Sequence, residues 1–310
     1  MDADGAVVGV AELDGVIYAV TDGASGLLAF RTPLYGRLND IVVKEMKNPR
    51  DMAACLTTKH LYVADWGEKC IWRLKVDVKS KIEEDDDPQN GDQNQNCSDP
   101  KYDKYPQQND DRQNGANWYV EVITVCKWAK EDSIRSLSVT SSGQVLVIAN
   151  GKFVVYTSDG NISHVILMKE KGFDLPHHVI EMTSNDTKPS YIFCLGSKDS
   201  PLHRVSEISL DGDILTECSF GLLSRPVHLA DGEDGSIFVA DDRHIFLMNH
   251  RLQIERIVIS QSPGDEPFYW MPRLCYTRES NRLVVCWGGR YIHVYGTQMP
   301  VSSSSQFEEK

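Results

Sequence analysis

Residues 49–74 read PRDMAACLTTKHLYVADWGEKCIWRL, and this stretch contains the repeating unit of the chain. It holds three short apolar segments, Asp51–Leu56, His60–Asp65 and one that runs from Cys70 to Val76. They are rich in β-branched and aromatic residues, are separated by polar turns and are too short to be buried helices. The stretch therefore predicts three consecutive antiparallel strands joined by tight turns.

The middle segment recurs along the chain as an apolar run that follows a glycine or a polar turn. Its further copies are Val16–Val20, Val145–Ala149, Tyr191–Leu195, Ile237–Asp241 and Leu283–Trp287. The segment before it opens with proline in four copies, at Pro49, Pro176, Pro226 and Pro272, and the last three prolines are 50 and 46 residues apart. A fixed period of this length indicates a repeat architecture built from one strand unit per copy.

One interval breaks the period. Pro49 and Asp132 occupy matching positions in the second and third copies, and they are 83 residues apart. The excess is the 37-residue segment 81–117, an Asn/Gln-rich stretch with ten acids and four bases. Because it carries little apolar surface to offset its ordering entropy, we predict a disordered acidic insert within the second repeat. The alternative is an acidic binding tail.

Without the insert, the chain contains six copies of a unit with four strands, which we call A, B, C and D in chain order. In the second copy, strand D is Tyr119–Val125. The predicted fold is an all-β, six-bladed β-propeller with four-stranded antiparallel blades, formed by a single domain over residues 1–300 and followed by a flexible tail at 301–310. The last copy lacks strand D, which must come from residues 1–6 or from sequence outside the chain.

The segments 49–54, 61–74, 226–230 and 235–245 resemble NHL repeats, and the resemblance extends over about residues 7–298 as a fold. It implies a propeller similar to the C-terminal propeller of tripartite-motif ubiquitin ligases, which suggests substrate recognition in a ubiquitin-ligase-type pathway. RNA binding is an alternative that such relatives suggest. Peptidyl-amidoglycolate lyase and gluconolactonase-like metal enzymes share the fold, so a metal-dependent hydrolase or lyase is a further alternative.

An enzyme of this fold would need a metal on the propeller axis, held by side chains from different blades. The matching positions, two residues after the proline of strand A, hold Asp51, His178 and His228. Each stands alone in its blade with no general acid or base beside it, so buried structural histidines are the preferred interpretation. No nucleophile or phosphate-loop motif occurs, and we expect neither a cofactor nor catalysis.

The loops carry the main functional prediction. In such blades the D-to-A and B-to-C loops meet on one face, which we call the D–A face, and the A-to-B and C-to-D loops meet on the other, the A–B face. We predict that a protein or peptide partner binds the D–A face, because arginine with aromatic residues is typical of binding anchors. The predicted partner-binding residues are Arg50, Trp66, Lys69, Arg204, Arg225, Arg243, Arg273, Trp287 and Arg290.

The overall charge and the termini limit the remaining classes of partner. A net charge of −13 argues against nucleic acid and anionic membranes. No apolar run approaches the length of a membrane span, and the N-terminus MDADGAVVGV lacks the features of a secretory signal. We therefore expect a cytoplasmic protein whose eight cysteines are free thiols.

Overall fold

The computed structural model describes residues 1, 3–31, 36–82, 116–171, 173, 175–182, 189–196, 203–219, 225–261, 271–278 and 280–296. Six antiparallel sheets follow one another along the chain, and the first strand of each contacts the first strands of the next and the previous sheet. The first strands of the first and last sheets are also in contact, so the ring is closed. The predicted six-bladed β-propeller is confirmed.

The blades have the following strands. Blade 1 contains β1 (Val7–Leu13), β2 (Val16–Thr21), β3 (Gly26–Arg31) and two short outer pieces, β4 (Gly36–Arg37) and β5 (Ile41–Val42). Blade 2 contains β6 (Pro49–Cys55), β7 (His60–Asp65), β8 (Cys70–Ile82) and β9 (Ala116–Lys130). Blade 3 contains β10 (Ile134–Val139), β11 (Val145–Ala149), β12 (Lys152–Tyr156) and β13 (Ile162–Leu167), followed by a 3₁₀ turn at Met168–Lys171. Blade 4 contains β14 (Leu175–Met182), β15 (Ser190–Gly196), β16 (Arg204–Ser209) and β17 (Ile214–Ser219). Blade 5 contains β18 (His228–Asp231), β19 (Ile237–Ala240), β20 (His244–Met248) and β21 (Ile254–Ser260), and blade 6 contains β22 (Arg273–Thr277), β23 (Arg282–Cys286) and β24 (Ile292–Gly296).

The second strand of each blade is buried on both sides, which explains its continuous apolar sequence. In β7, Tyr62 packs with residues of blade 3, whereas Val63 belongs to the core shared with blade 1. Adjacent side chains of a strand point to opposite faces, and each face of a blade meets another blade. The same burial explains why these segments could be recognised as repeats.

The acidic residue that ends β7 fixes two loops at once. The carboxylate of Asp65 accepts hydrogen bonds from the backbone N–H groups of Lys47 (3.0 Å), Asn48 (3.0 Å), Gly67 (2.9 Å) and Glu68 (3.2 Å). These groups belong to the loop before strand A and to the loop after strand B. The indole Nε1–H of Trp72 is a fifth donor to the same carboxylate, at 3.0 Å. A buried carboxylate is satisfied by several donors of this kind. The recurring Val-Ala-Asp sequence is therefore a loop-anchoring device.

The strands on either side of the acidic insert pair as a hairpin, as predicted, and the hairpin is longer than predicted. The ladder between β8 and β9 continues through Lys81 with Asn117 and Ile82 with Ala116, two rungs inside the predicted insert. Composition does not reveal this boundary, because the strands pair through backbone hydrogen bonds and not through their side chains. The remaining insert residues, 83–115, and the predicted tail, 301–310, lie outside the described residues.

The N-terminus meets the open edge of the last blade. The described ladder of blade 6 has three strands, β22, β23 and β24. The backbone of Met1 exchanges two hydrogen bonds with Ile292, of 3.0 and 2.9 Å, and Ala3 N–H donates to the carbonyl of Arg290 at 2.8 Å. The N-terminal residues therefore pair with the beginning of the edge for which the sequence offered no fourth strand. Within the described ranges, no helix is long and apolar enough to cross a bilayer.

Candidate sites along the propeller axis

Three polar side chains from three different blades meet on the axis. Asp51 of β6, His178 of β14 and His228 of β18 each offer a ligand atom, and these atoms lie within 4.8 Å of one another. All three residues are buried. The repeat places each of them at the same level of an innermost strand, which is why three isolated positions in the sequence become one cluster in space. We call these three residues the axial cluster.

Asp51 is held by backbone donors and by a guanidinium group. Met52 N–H donates to Oδ1 at 3.0 Å and Leu137 N–H to Oδ2 at 3.1 Å, while Nε of Arg273 lies 3.5 Å from Oδ1. Burial raises the pKa of the Asp51 carboxyl, and the positive charge of Arg273 opposes that shift. Arg273 also donates to the carbonyls of Val8 (2.7 Å) and Arg50 (3.2 Å). The pair thus connects blades 1, 2, 3 and 6.

The two histidines are neutral rings in contact with each other. Their ring centroids are 3.7 Å apart and the planes are inclined by 31°. Burial lowers the pKa of both rings well below the ordinary value. The next largest contribution to the pKa of His178 is repulsion from a protonated His228, and for His228 it is the positive charge of Arg273. Leu274 N–H donates to Nδ1 of His228 at 3.3 Å, so the proton of that neutral ring is on Nε2.

The axial cluster is a poor fit for a metal ion. A metal lies in the plane of an imidazole ligand and needs a lone pair on the ligating nitrogen. The two rings are stacked, and the accepting nitrogen of His228 is already occupied by Leu274 N–H. The guanidinium of Arg273 beside Asp51 adds a positive charge to the same place. These contacts indicate a structural polar cluster.

A channel of about 410 Å³ runs from the two histidines to the A–B face. Its wall is formed by the innermost strands and is mainly apolar; it includes Val10, Met52, Leu137, Ile180, Leu229 and Leu274. The rim is polar and includes Asp14, Thr57, Ser141, Glu181, Asp231 and Arg278. A cavity of this size and composition is typical of ligand sites. It opens on the face opposite to the one for which we predicted a partner.

The other end of the axis carries positive charge. Arg50, Arg135, His177, Arg225 and Arg273 lie at the starts of the innermost strands of blades 2 to 6, or next to them, and we call these five residues the cationic ring. The charges lie close enough to His177 to change its pKa. Burial lowers that pKa to about 4, with further contributions from the charges of Arg135, Arg225, His203 and Arg273.

Several predicted partner-binding residues lie at this end but have intramolecular contacts. Trp66 is 49% exposed, and the guanidinium of Arg50 lies 5.6 Å from its ring centroid. Ion pairs join Arg50 to Asp22 (3.6 Å), Lys69 to Asp132 (3.0 Å), Arg204 to Glu217 (2.9 Å) and Arg225 to Asp242 (2.8 Å). The backbone N–H of Arg243 donates to Asp241 at 2.8 Å. A partner at this face would have to compete with these internal acids.

Three further predicted residues have intramolecular contacts. Trp287 comes directly after the buried strand β23, and its side chain is therefore in the core between blades 5 and 6, where it is 5% exposed. Arg273 points inward to Asp51, because a buried carboxylate needs a counter-charge. Arg290 donates to the carbonyl of Ala3 at 3.2 Å and so helps to hold the N-terminal residues. These contacts give the three side chains structural roles.

The comparisons with known proteins agree with the fold. The chain matches no protein-family model, and no curated protein matches it. A structure of streptogramin B lyase is 12% identical over 96% of this chain and 85% of that one, with a TM-score of 0.53. A catalytically inactive variant of virginiamycin B lyase from Staphylococcus aureus, solved with quinupristin, is 11% identical over 97% and 88%, with a TM-score of 0.52. A protein of unknown function from Bacteroides thetaiotaomicron is 13% identical over 95% and 70%, with a TM-score of 0.57.

The closed ring of six sheets defines the class of the protein as a six-bladed β-propeller, and these similarities agree with that fold. At such identities they show the fold alone. The NHL-repeat interpretation is matched by no family model and stays a prediction from the sequence.

Proposed function

We propose that the protein is a non-catalytic recognition propeller that binds an acidic segment of a partner protein on the D–A face. The observation that carries this proposal is the cationic ring, in which Arg50, Arg135 and Arg225 supply positive charge from blades 2, 3 and 5. Arg273 is engaged with Asp51 and His177 is neutral, so these two residues add no free charge. A protein with a net charge of −13 that concentrates cations at one point offers a defined place for carboxylates.

The surroundings of the ring supply the other elements of a protein interface. Trp66 is half exposed beside Arg50, and aromatic residues with arginine dominate the binding energy of many interfaces. Arg135 is exposed and forms no ion pair with any residue that the structure describes. The NHL resemblance suggests the specific role, which is selection of substrates for ubiquitination by an associated ligase.

The test compares charge reversal in the ring with the same change elsewhere. Arg135→Glu combined with Arg225→Glu should weaken binding of a labelled oligoglutamate peptide by tenfold or more, measured by fluorescence anisotropy at low salt, since each close charge pair contributes roughly 1.5 kcal/mol or more. The matched control is Arg251→Glu combined with Arg256→Glu, at the turn before β21 and on β21 itself. Equal loss in both double variants, or no binding by the unmodified protein, would overturn the proposal.

A second candidate is a metal-dependent hydrolase or lyase, and the observation in its favour is the 4.8 Å grouping of the axial cluster. The stacked rings and the nearby Arg273 weigh against it. Elemental analysis of protein purified without chelators separates the two functions. Stoichiometric zinc or manganese that is lost in Asp51→Asn would favour the enzyme, and a metal content near zero would exclude it.

A further inference from the structure

The channel that opens on the A–B face offers a second site, independent of the D–A face. Its volume of about 410 Å³ falls within the range of small-molecule sites. The middle of its wall is apolar, with Met52, Ile180 and Leu229 from blades 2, 4 and 5. The inner end and the rim are polar, and each constrains the chemistry of an occupant.

The inner end presents an acceptor without a donor. His178 is 2% exposed and lines the channel, and its Nδ1 has no hydrogen-bond partner among the described residues. A neutral imidazole has one accepting nitrogen, and we assign that role to the unpartnered Nδ1. A buried acceptor left unsatisfied costs free energy, which a ligand N–H or O–H group would recover.

The rim is acidic on balance. Carboxylates of Glu12, Asp14, Glu181 and Asp231 line it, against the cations of Arg278, paired with Asp231, and of Lys59, paired with Asp14. Glu181 and Asp231 come from neighbouring blades. Burial raises the pKa of Asp231, Arg278 opposes that shift, and the charge of Glu181 adds to it. The excess of carboxylates at the rim favours a cation and repels an anion.

We propose that the channel binds an amphipathic organic cation, with its apolar body along the channel, a terminal donor on Nδ1 of His178 and an ammonium group between Glu181 and Asp231. An organic anion fails at the rim, and a purely apolar molecule leaves both polar ends without a partner. An aromatic amine that carries a hydroxyl group has all three features, so tyramine is a suitable probe.

Three probes separate the three features. Tyramine should bind with a dissociation constant of roughly 0.1–1 mM, the range expected for so small a ligand. Phenethylamine, which lacks the hydroxyl group, should bind several-fold more weakly, and 4-hydroxyphenylacetate, which carries a carboxylate in place of the ammonium, should not bind. Isothermal titration calorimetry measures all three.

Variants then place the ligand at the rim. Glu181→Gln keeps an oxygen to accept from the Ser141 N–H and hydroxyl groups, which lie at 2.9 and 2.8 Å, and should weaken tyramine binding by about tenfold. Glu233→Gln removes the same charge from the neighbouring turn outside the channel and should leave affinity unchanged. The proposal is overturned if tyramine does not bind, which means that the channel holds water only, if 4-hydroxyphenylacetate binds equally well, or if the two variants behave alike.

Discussion

His178 and His228, on the innermost strands of neighbouring blades, stack with their ring centroids 3.7 Å apart. Two protonated rings could not occupy this arrangement without a large repulsion in a site of low polarity. The contact therefore excludes protonation of both imidazoles at once, and burial lowers the pKa of each ring. The stability of the propeller is consequently coupled to pH at its axis.

We expect the free energy of unfolding to fall as the pH drops below about 6.5. His178, His228 and His177 have lowered pKa values in the folded protein, so the unfolded chain binds more protons in this range, and acidification favours it. Each histidine that stays neutral in the folded protein lowers the free energy of unfolding by about 2 kcal/mol between pH 6.5 and 5. The raised pKa of Asp51 acts in the opposite direction, and only as the pH falls through its folded value.

Urea unfolding at a series of pH values measures this dependence. In His178→Gln the decrease in the free energy of unfolding between pH 6.5 and 5 should be smaller by about 2 kcal/mol, the contribution of one histidine. His164→Gln, on the exposed outer strand β13, is the control and should keep the slope of the unmodified protein. Parallel slopes in all three proteins would show that the axial histidines do not control acid sensitivity.

Removing the positive charge beside Asp51 should be strongly destabilising. Arg273→Met leaves a buried carboxylate without its counter-charge, for which we expect a loss of about 3–5 kcal/mol. The same change removes the hydrogen bonds to the carbonyls of Val8 and Arg50. Linear extrapolation of urea denaturation gives the value.

The double variant Arg273→Met, Asp51→Asn isolates the electrostatic part. Because the neutral amide needs no counter-charge, the double variant should lose less than the sum of the two single variants. Strictly additive losses would show that Arg273 acts through its backbone contacts and not through Asp51.

The loop anchor at the end of β7 predicts a loss of stability in two equivalent positions. Asp65 accepts from four backbone N–H groups and one indole, so Asp65→Asn replaces an acceptor by a donor among several donors and should cost about 2–4 kcal/mol. Asp241, its counterpart in blade 5, accepts backbone N–H groups from Arg243 and His244, so Asp241→Asn should be destabilising for the same reason. Thermal melting of both variants tests this, and an unchanged melting temperature in either variant would contradict it.

The fold could be read from the sequence because each repeat satisfies local rules. The double burial of the second strand in each blade produces a continuous apolar run, and the position of Asp65 at its end is fixed by the loops that it anchors. The length of the hairpin in blade 2 could not be read, because the residues from Asp77 to Ile82 pair through backbone groups that composition does not reveal.

The sites were harder to predict because side-chain direction and ion pairing are properties of the assembled ring. Asp51, His178 and His228 were aligned by the repeat, yet only the structure shows that they touch and that the rings stack. Trp287 looked like a loop aromatic, but it follows a buried strand directly. The channel had one signal in the sequence, which is the acidic residue at or near the end of two innermost strands, Glu181 of β14 and Asp231 of β18.

The acidic insert gives a prediction about chain connectivity. Replacing residues 83–115 by an Asp-Gly turn should keep the fold and raise stability by no more than about 1–3 kcal/mol, because the entropy of closing a loop grows slowly with its length. Circular dichroism and urea denaturation measure the effect. An unfolded variant would show that the insert packs on the propeller, and loss of oligoglutamate binding in a folded variant would move the binding site to the insert.

The pairing of Met1 with Ile292 joins positions 291 residues apart in the chain. The N-terminal residues therefore help to close the ring. Their removal leaves an unpaired edge on β24, whereas removal of β24 leaves an unpaired edge on β23. Such an edge recruits the corresponding segment of another molecule, which is the route to exchanged dimers. A fusion partner that blocks Met1 and a truncation before Ile292 should consequently fail in the same way, by association of intact blades between molecules and not by unfolding within one.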